Sequence, residues 1–139
     1  MERPDPGQLA ETIKDMSDQE LEQQVKELGP DQVLEAIFDG MQQAYKPDAS
    51  PGLDAVVEYD IKTNGEVQEW HAVMREGKCV TAKGPGENPR LTLELGLVDF
   101  IRLIFGQVEG PQLFMSGRLR LRGDMMFGMQ LPTLFSRDF

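Results

Sequence analysis

Residues 53–65 read Leu53-Asp54-Ala55-Val56-Val57-Glu58-Tyr59-Asp60-Ile61-Lys62-Thr63-Asn64-Gly65, and this stretch decides the fold class. Leu53, Ala55, Val57, Tyr59 and Ile61 alternate with Asp54, Val56, Glu58, Asp60 and Lys62. A period of two belongs to a strand with one drier and one wetter face. Asn64-Gly65 tolerates the positive backbone angles of a tight hairpin turn. A return strand over 67–75 follows, and Glu76-Gly77 turns the chain into a third strand over 78–83. Strands joined by turns this short form an antiparallel meander.

Upstream the period is helical. Ser17-Asp18-Gln19-Glu20 fits a capping box, and Leu21, Val25 and Leu28 then make one apolar stripe. Gly29-Pro30 stops that helix. A second starts at Asp31, with Val33, Leu34, Ile37, Phe38, Met41 and Tyr45 on one face, and ends in the turn-rich 46–52. Residues 1–16 read as a flexible segment with a short helical piece around Leu9 to Met16.

Downstream, Gly84-Pro85-Gly86-Glu87-Asn88-Pro89 is a surface loop, and Leu91, Leu93 and Leu95 alternate as a fourth strand. Leu97, Val98, Ile101, Ile104 and Phe105 return to helical spacing, closed by Gly106. Beyond a Gly/Pro loop, Arg118-Leu119-Arg120-Leu121-Arg122 is a strand of period two, with Gly123-Asp124 as a cap. A final helix spans 125–135, interrupted by Gly128 and Pro132. The order is helices, four strands, helix, strand, helix: one domain over 17–139.

The 139 residues carry 14 Lys+Arg against 24 Asp+Glu, a net charge of −10. Phosphate binding needs clustered cations, so nucleic acid is not an expected partner. Adsorption to anionic membranes is disfavoured for the same reason. Residues 1–46 hold 11 acids and 4 bases, the remainder 13 and 10, so the acidity lies at the front. Long apolar stretches such as Leu95 to Gly106 are broken, here by Asp99 and Arg102, and fall far short of the ~20 residues that span a bilayer. No basic, then apolar leader opens the chain. Together with the single Cys79, this gives an expected cytoplasmic, soluble protein without integral membrane association.

Catalytic and metal signatures are sparse. The one histidine, His71, falls mid-strand, and no Gly-x-Ser-x-Gly elbow is present. His71 and Cys79 are the sole nitrogen and sulfur ligands, too few for a zinc site. Gly84-Pro85-Gly86 lacks the third glycine of a dinucleotide loop, because position 89 is proline. No catalytic residue, metal or cofactor is expected. The Arg118/Arg120/Arg122 stripe reads as the charged face of an edge strand, with an anion or lipid-headgroup site as the alternative. Four of the eight methionines, Met115, Met125, Met126 and Met129, fall among Phe114, Phe127, Leu131, Leu134 and Phe135. Methionine adapts to irregular apolar shapes, which suits a core gap or a pocket of loose specificity.

The run Leu113-Phe114-Met115-Ser116-Gly117-Arg118-Leu119-Arg120-Leu121-Arg122-Gly123-Asp124 resembles the late motif of the sterol carrier protein two family. There an apolar-Phe-x-x-Gly segment precedes a strand ending in Gly-Asp and then a helix. Asp54 to Ile61 resembles that family's first strand, Trp70 its second, Leu91-Thr92-Leu93 its fourth, and Asp99-Phe100 its helix. The resemblance covers about 31–135. It implies an α/β (α+β) fold: a five-stranded mixed sheet with helices packed on one face, enclosing an apolar tunnel. The implied ligand is an apolar small molecule, such as a fatty acid, fatty acyl-CoA or sterol-like lipid. The chain ends Arg137-Asp138-Phe139, not in the Ser-Lys-Leu address of peroxisomal relatives.

A lipid pocket holds ~300–1,000 Å³. At ~24 cal/mol per Å³, an empty cavity of ~400 Å³ would cost ~10 kcal/mol, comparable to the ~5–15 kcal/mol stability of a domain. The pocket is therefore expected to hold ligand or be partly collapsed by mobile side chains. Phe114, Met115, Met126, Phe127, Met129, Leu134 and Phe135 are expected to line or gate it, followed by Trp70, Phe100, Leu103 and Ile104. Two other functions compete with a lipid carrier. One is an enzyme on a small apolar substrate, with Asp124, Asp99 or Tyr59 moving protons. The other is an interaction module whose acidic helices or arginine stripe dock a protein partner or form a homodimer.

Overall fold

The structure, a computed structural model, describes residues 13–63 and 65–136. Five strands among them form one sheet: β1 (Ala55–Thr63), β2 (Glu66–Arg75), β3 (Lys78–Lys83), β4 (Leu91–Gly96) and β5 (Leu119–Gly123). The spatial order is β3-β2-β1-β4-β5. The expected meander is there, with Tyr59 opposite Trp70 and Trp70 opposite Lys83, both pairings antiparallel. Thr63 pairs with Glu66 across a two-residue link. Gly65 has a φ of 84°, while Asn64 lies outside the described residues. β4 runs parallel to β1 and β5 antiparallel to β4, so the sheet is mixed.

The α-helices named for the described residues are α1 (Asp18–Leu28), α2 (Pro30–Ala44), α3 (Leu97–Ile104), α4 (Gly110–Met115) and α5 (Met125–Gln130). The strand registers put Val57, Tyr59, Ile61, Trp70, Ala72, Leu91, Leu93, Leu95, Leu119 and Leu121 on one face. Helices pack there. Phe38 of α2 stacks on Trp70 with ring centroids 4.6 Å apart and meets Tyr59 edge-on at 5.3 Å. Phe100 of α3 closes the group, 5.4 Å from Phe38. Burying such rings is worth about 1.5–3 kcal/mol each, which fixes the helices over this face.

The opposite face carries Val56, Glu58, His71 and Thr92. Residues 84–90 cross it rather than standing away as a free surface turn. The Gly86 amide donates to Glu58 Oε1 at 3.0 Å, and His71 Nδ1 lies 2.9 Å from the Gly84 carbonyl oxygen. A Cβ at position 86 would fall 2.7 Å from Val56 Cγ1, so this crossing admits only glycine at that point. Arg120 and Arg122 lie on the edge strand β5 and Arg118 just before it, with Arg122 paired to Asp60 at 3.1 Å and Arg118 to Asp99.

The capping box forms at the start of α1: the Glu20 amide donates to Ser17 Oγ at 3.1 Å and the Ser17 amide to Glu20 Oε1 at 3.2 Å. Of the segment expected to be flexible, residues 1–12 lie outside the described residues. Ile13 is buried, and Arg102 Nη2 donates to the Met16 carbonyl at 2.7 Å. Sequence reading leaves 110–115 as loop, yet it is α4. Glu109 and Gln112 form an unconventional capping box, and Pro111 stands in the first turn, where its missing N–H costs nothing. The final helix stops being α-helical at Leu131, and Pro132 lies in a 3₁₀ turn over Leu131–Leu134. No helix among the described residues is long and apolar enough to cross a membrane.

Candidate functional site

The C-terminal segment forms a strap across the helix-covered face, pinned at both ends. At its start, Asp124 caps α5 by accepting from the Phe127 amide at 3.0 Å. Arg90 donates to the same carboxylate at 3.0 Å and lays its guanidinium 4.3 Å from the Phe127 ring centroid. Those N–H groups hold the Asp124 carboxyl below its usual range. At its far end, Tyr45 and Phe135 form an isolated β-bridge. The Lys46 amide donates to the Leu134 carbonyl and the Ser136 amide to the Ala44 carbonyl, each at 2.7 Å. Gly123 makes the entry possible: a Cβ there would collide with the Arg90 carbonyl oxygen, and its φ of 110° suits glycine.

Between the pins the strap is apolar inward and carries exposed methionines outward, alongside Gln130 and Thr133. Phe127, Leu131 and Leu134, spaced i, i+4 and i+7, are buried toward the sheet. Met126 and Met129 point outward, 75% and 77% exposed, with Met125 43% exposed beside them. On α4, which packs on the same edge strand β5, Phe114 is 45% and Met115 87% exposed. Large apolar side chains in solvent are normally scattered singly; here five belong to two six-residue helices flanking β5.

The residues expected to form the site therefore divide by depth. Trp70, Phe100, Phe127 and Leu134 are buried between sheet and helices. Leu103, Ile104 and Phe135 are half-buried and pack against that core. Phe114, Met115, Met126 and Met129 form the exposed rim. The interlayer is filled by side chains, Phe38, Phe100 and Phe127 being its largest fully buried ones. Leu121, Met125 and Leu131 belong with this set, although the sequence does not single them out as lining residues. Leu121 lies beneath the strap, where a Cβ at Gly128 would be 3.5 Å from its Cδ1. The i, i+4, i+7 spacing from Phe127 is the signal that could have found Leu131.

An open cleft of about 280 Å³ lies elsewhere, among α1, the ends of β1 and β4, and the start of α3. Its rim mixes Asp18, Glu22 and Asp99 with Lys26, Lys62 and Arg118. Asp99 is engaged there by Arg118. Tyr59 is wholly buried, which drives its phenol far above the ordinary range. Burial likewise pushes the Cys79 thiol up to about 11. All three groups considered for proton transfer are thus occupied structurally. Asp124 caps a helix, Asp99 holds an arginine, and Tyr59 packs on Phe38 and Phe100.

Comparison with known proteins identifies the family and the fold. A family model, the SCP-2 sterol transfer family, matches residues 34–136. The oleate-induced peroxisomal protein POX18 of Candida maltosa is 30% identical over 93 residues, covering 65% of this chain and 72% of that protein. The peroxisomal multifunctional enzyme type 2 of Mus musculus is 30% identical over 83 residues, 58% of this chain but 11% of the enzyme. Among solved structures, sterol carrier protein 2 like 2 from Aedes aegypti superposes with a TM-score of 0.63 at 20% identity. That match covers 77% of this chain and 100% of the mosquito chain.

Proposed function

The chain belongs to the SCP-2 sterol transfer family, and we propose that it is a non-catalytic lipid-binding and transfer protein. Its ligand is a fatty acid, fatty acyl-CoA, sterol or similar apolar molecule, held between the sheet and the helices beneath the strap. The observation that carries this reading is the strap itself. It is fixed at Asp124 and at the Tyr45–Phe135 bridge, and it presents Phe127, Leu131 and Leu134 inward and Met126 and Met129 outward. A segment anchored at both ends, apolar inward and with methionines outward, can rise over a ligand and still keep apolar contacts. Phe114, Met115, Met126 and Met129 are its gate, Phe127, Leu134, Leu103, Ile104 and Phe135 its lining, and Trp70 and Phe100 its floor. A cytoplasmic setting agrees with Cys79 standing as a free, buried thiol.

Affinity would come from apolar burial at about 25 cal/mol per Å². Titration with a fluorescent fatty acid, together with native mass spectrometry of the freshly purified protein, tests the reading. The expected result is saturable one-site binding and a rise in melting temperature with ligand. Absence of both overturns it.

A further inference from the structure

Two buried polar atoms on β2 lack a hydrogen-bond partner. Trp70 is 7% exposed, and its indole Nε1 is buried without a hydrogen-bond partner. Gln68 Oε1, two residues earlier on β2, is likewise buried and unpartnered. Residues two apart on a strand share a face, and the pairing of Gln68 with Ile61 and Trp70 with Tyr59 puts that face under the helices. Buried polar groups are almost always satisfied, so an unpaired donor and an unpaired acceptor on one strand face mark a place where a partner group belongs. The apolar surroundings sharpen this: Phe38 stacks on the Trp70 ring, and Tyr59 lies across the strand pair.

We propose that Trp70 and Gln68 form the polar end of the lipid site and receive an uncharged hydroxyl head, as on a fatty alcohol or a sterol-like ligand. This rests on the lipid-binding reading and narrows its ligand class. A hydroxyl can accept from the indole N–H and donate to the amide oxygen at once; an ester or thioester can only accept. A carboxylate would bring a negative charge beside the Gln68 oxygen. The cation opposite Trp70 in register, Lys83, is 60% exposed and lies 3.7 Å from Asp31. From β5, beneath the strap, to β2 is three strand spacings, about 14 Å, which leaves the ligand's apolar body lying across β1 and β4.

Trp70 is the protein's one tryptophan, so its fluorescence reports on this site alone. The test compares dodecan-1-ol with dodecane, by displacement of a fluorescent acyl probe and by tryptophan emission. The wild type should bind the alcohol about tenfold more tightly than the alkane. Only the alcohol should move the emission to longer wavelength, because it alone can hydrogen-bond the indole N–H. Gln68→Leu and Trp70→Phe should each bring the two affinities together while alkane binding persists. Equal wild-type affinities, or a preference that survives in Gln68→Leu, overturn the polar end and leave the lipid-binding reading standing. Failure of the probe and of both ligands to bind overturns the two together.

Discussion

Gly128 rides directly on Leu91: a Cβ at position 128 would lie 3.4 Å from Leu91 Cδ2 and 3.5 Å from Leu121 Cδ1. Those are ordinary contact distances, so a methyl group fits without displacing the strap. Glycine within a helix costs about 0.5–1 kcal/mol relative to alanine. Gly128→Ala is therefore expected to raise the melting temperature by a few degrees and to stiffen α5. If α5 is the gate, the same variant releases a fluorescent fatty acid more slowly in stopped-flow exchange. A higher melting temperature with unchanged release would remove α5 as the gate.

Arg102 joins α3 to the segment before α1. Its guanidinium donates to the Met16 carbonyl at 2.7 Å and the Ile13 carbonyl at 3.3 Å, and Nε donates to Asp18 at 2.8 Å. Only 16% of the side chain is exposed. Arg102→Ala leaves two carbonyls without these donors and is expected to cost about 2–3 kcal/mol in urea denaturation. Hydrogen exchange should accelerate at 13–18 before it does in the sheet. Arg102→Lys cannot reproduce the planar fork and should recover less than half of the loss.

The sheet was legible in sequence because its signals are local. Alternation at 53–63, the turn at 76–77 and the leucines at 91, 93 and 95 each report a period that burial then enforces. Strand order was not legible that way. Nothing within 84–90 says that the chain crosses the far face, since the need for glycine at 86 comes from Val56, thirty residues earlier. α4 was missed because glycine and proline open it and its cap is a glutamate. The candidate site was legible as composition only. Apolar composition marked 114–135, but which of Met126 and Phe127 faces inward is set by Arg90 and Asp124, which meet only after β4 and β5 pair.

Asp60 should make stability depend on pH. Burial, reinforced by the neighbouring Glu58 and Glu69 carboxyls and only partly offset by Arg122, pushes its carboxyl up to about 6. In the unfolded chain a carboxyl of this kind titrates near ~3.9. The folded state therefore holds the proton more tightly, and the contribution is complete below pH ~4 and lost as pH rises through about 6. Lowering the pH from 7 to 5 is expected to stabilise the protein through this group, by on the order of 1 kcal/mol. Asp60→Asn should flatten that slope in urea denaturation at pH 5, 6 and 7. Identical slopes in the two proteins would show that another group is responsible.

The sharpest separation of stability from ligand handling lies between adjacent residues of the strap. Phe127 is 1% exposed and held under Arg90, so Phe127→Ala removes a core ring and is expected to cost about 3–5 kcal/mol. Met126 and Met129 are three-quarters exposed, and glutamine at both positions keeps side-chain length and helix propensity. Stability should then change by less than about 0.5 kcal/mol. A rim that only fills surface would leave ligand uptake unchanged as well. A gate would not: its methionines cover the ligand's apolar body when the strap rises, and glutamine would bury an unpaired amide there at a cost of about 1–3 kcal/mol. The double variant is therefore expected to unfold at the wild-type temperature and to bind a fluorescent fatty acid about tenfold more weakly. Wild-type affinity would assign the methionines to the surface and leave Phe127, Leu131, Leu134 and Phe135 as the part of the strap that meets ligand.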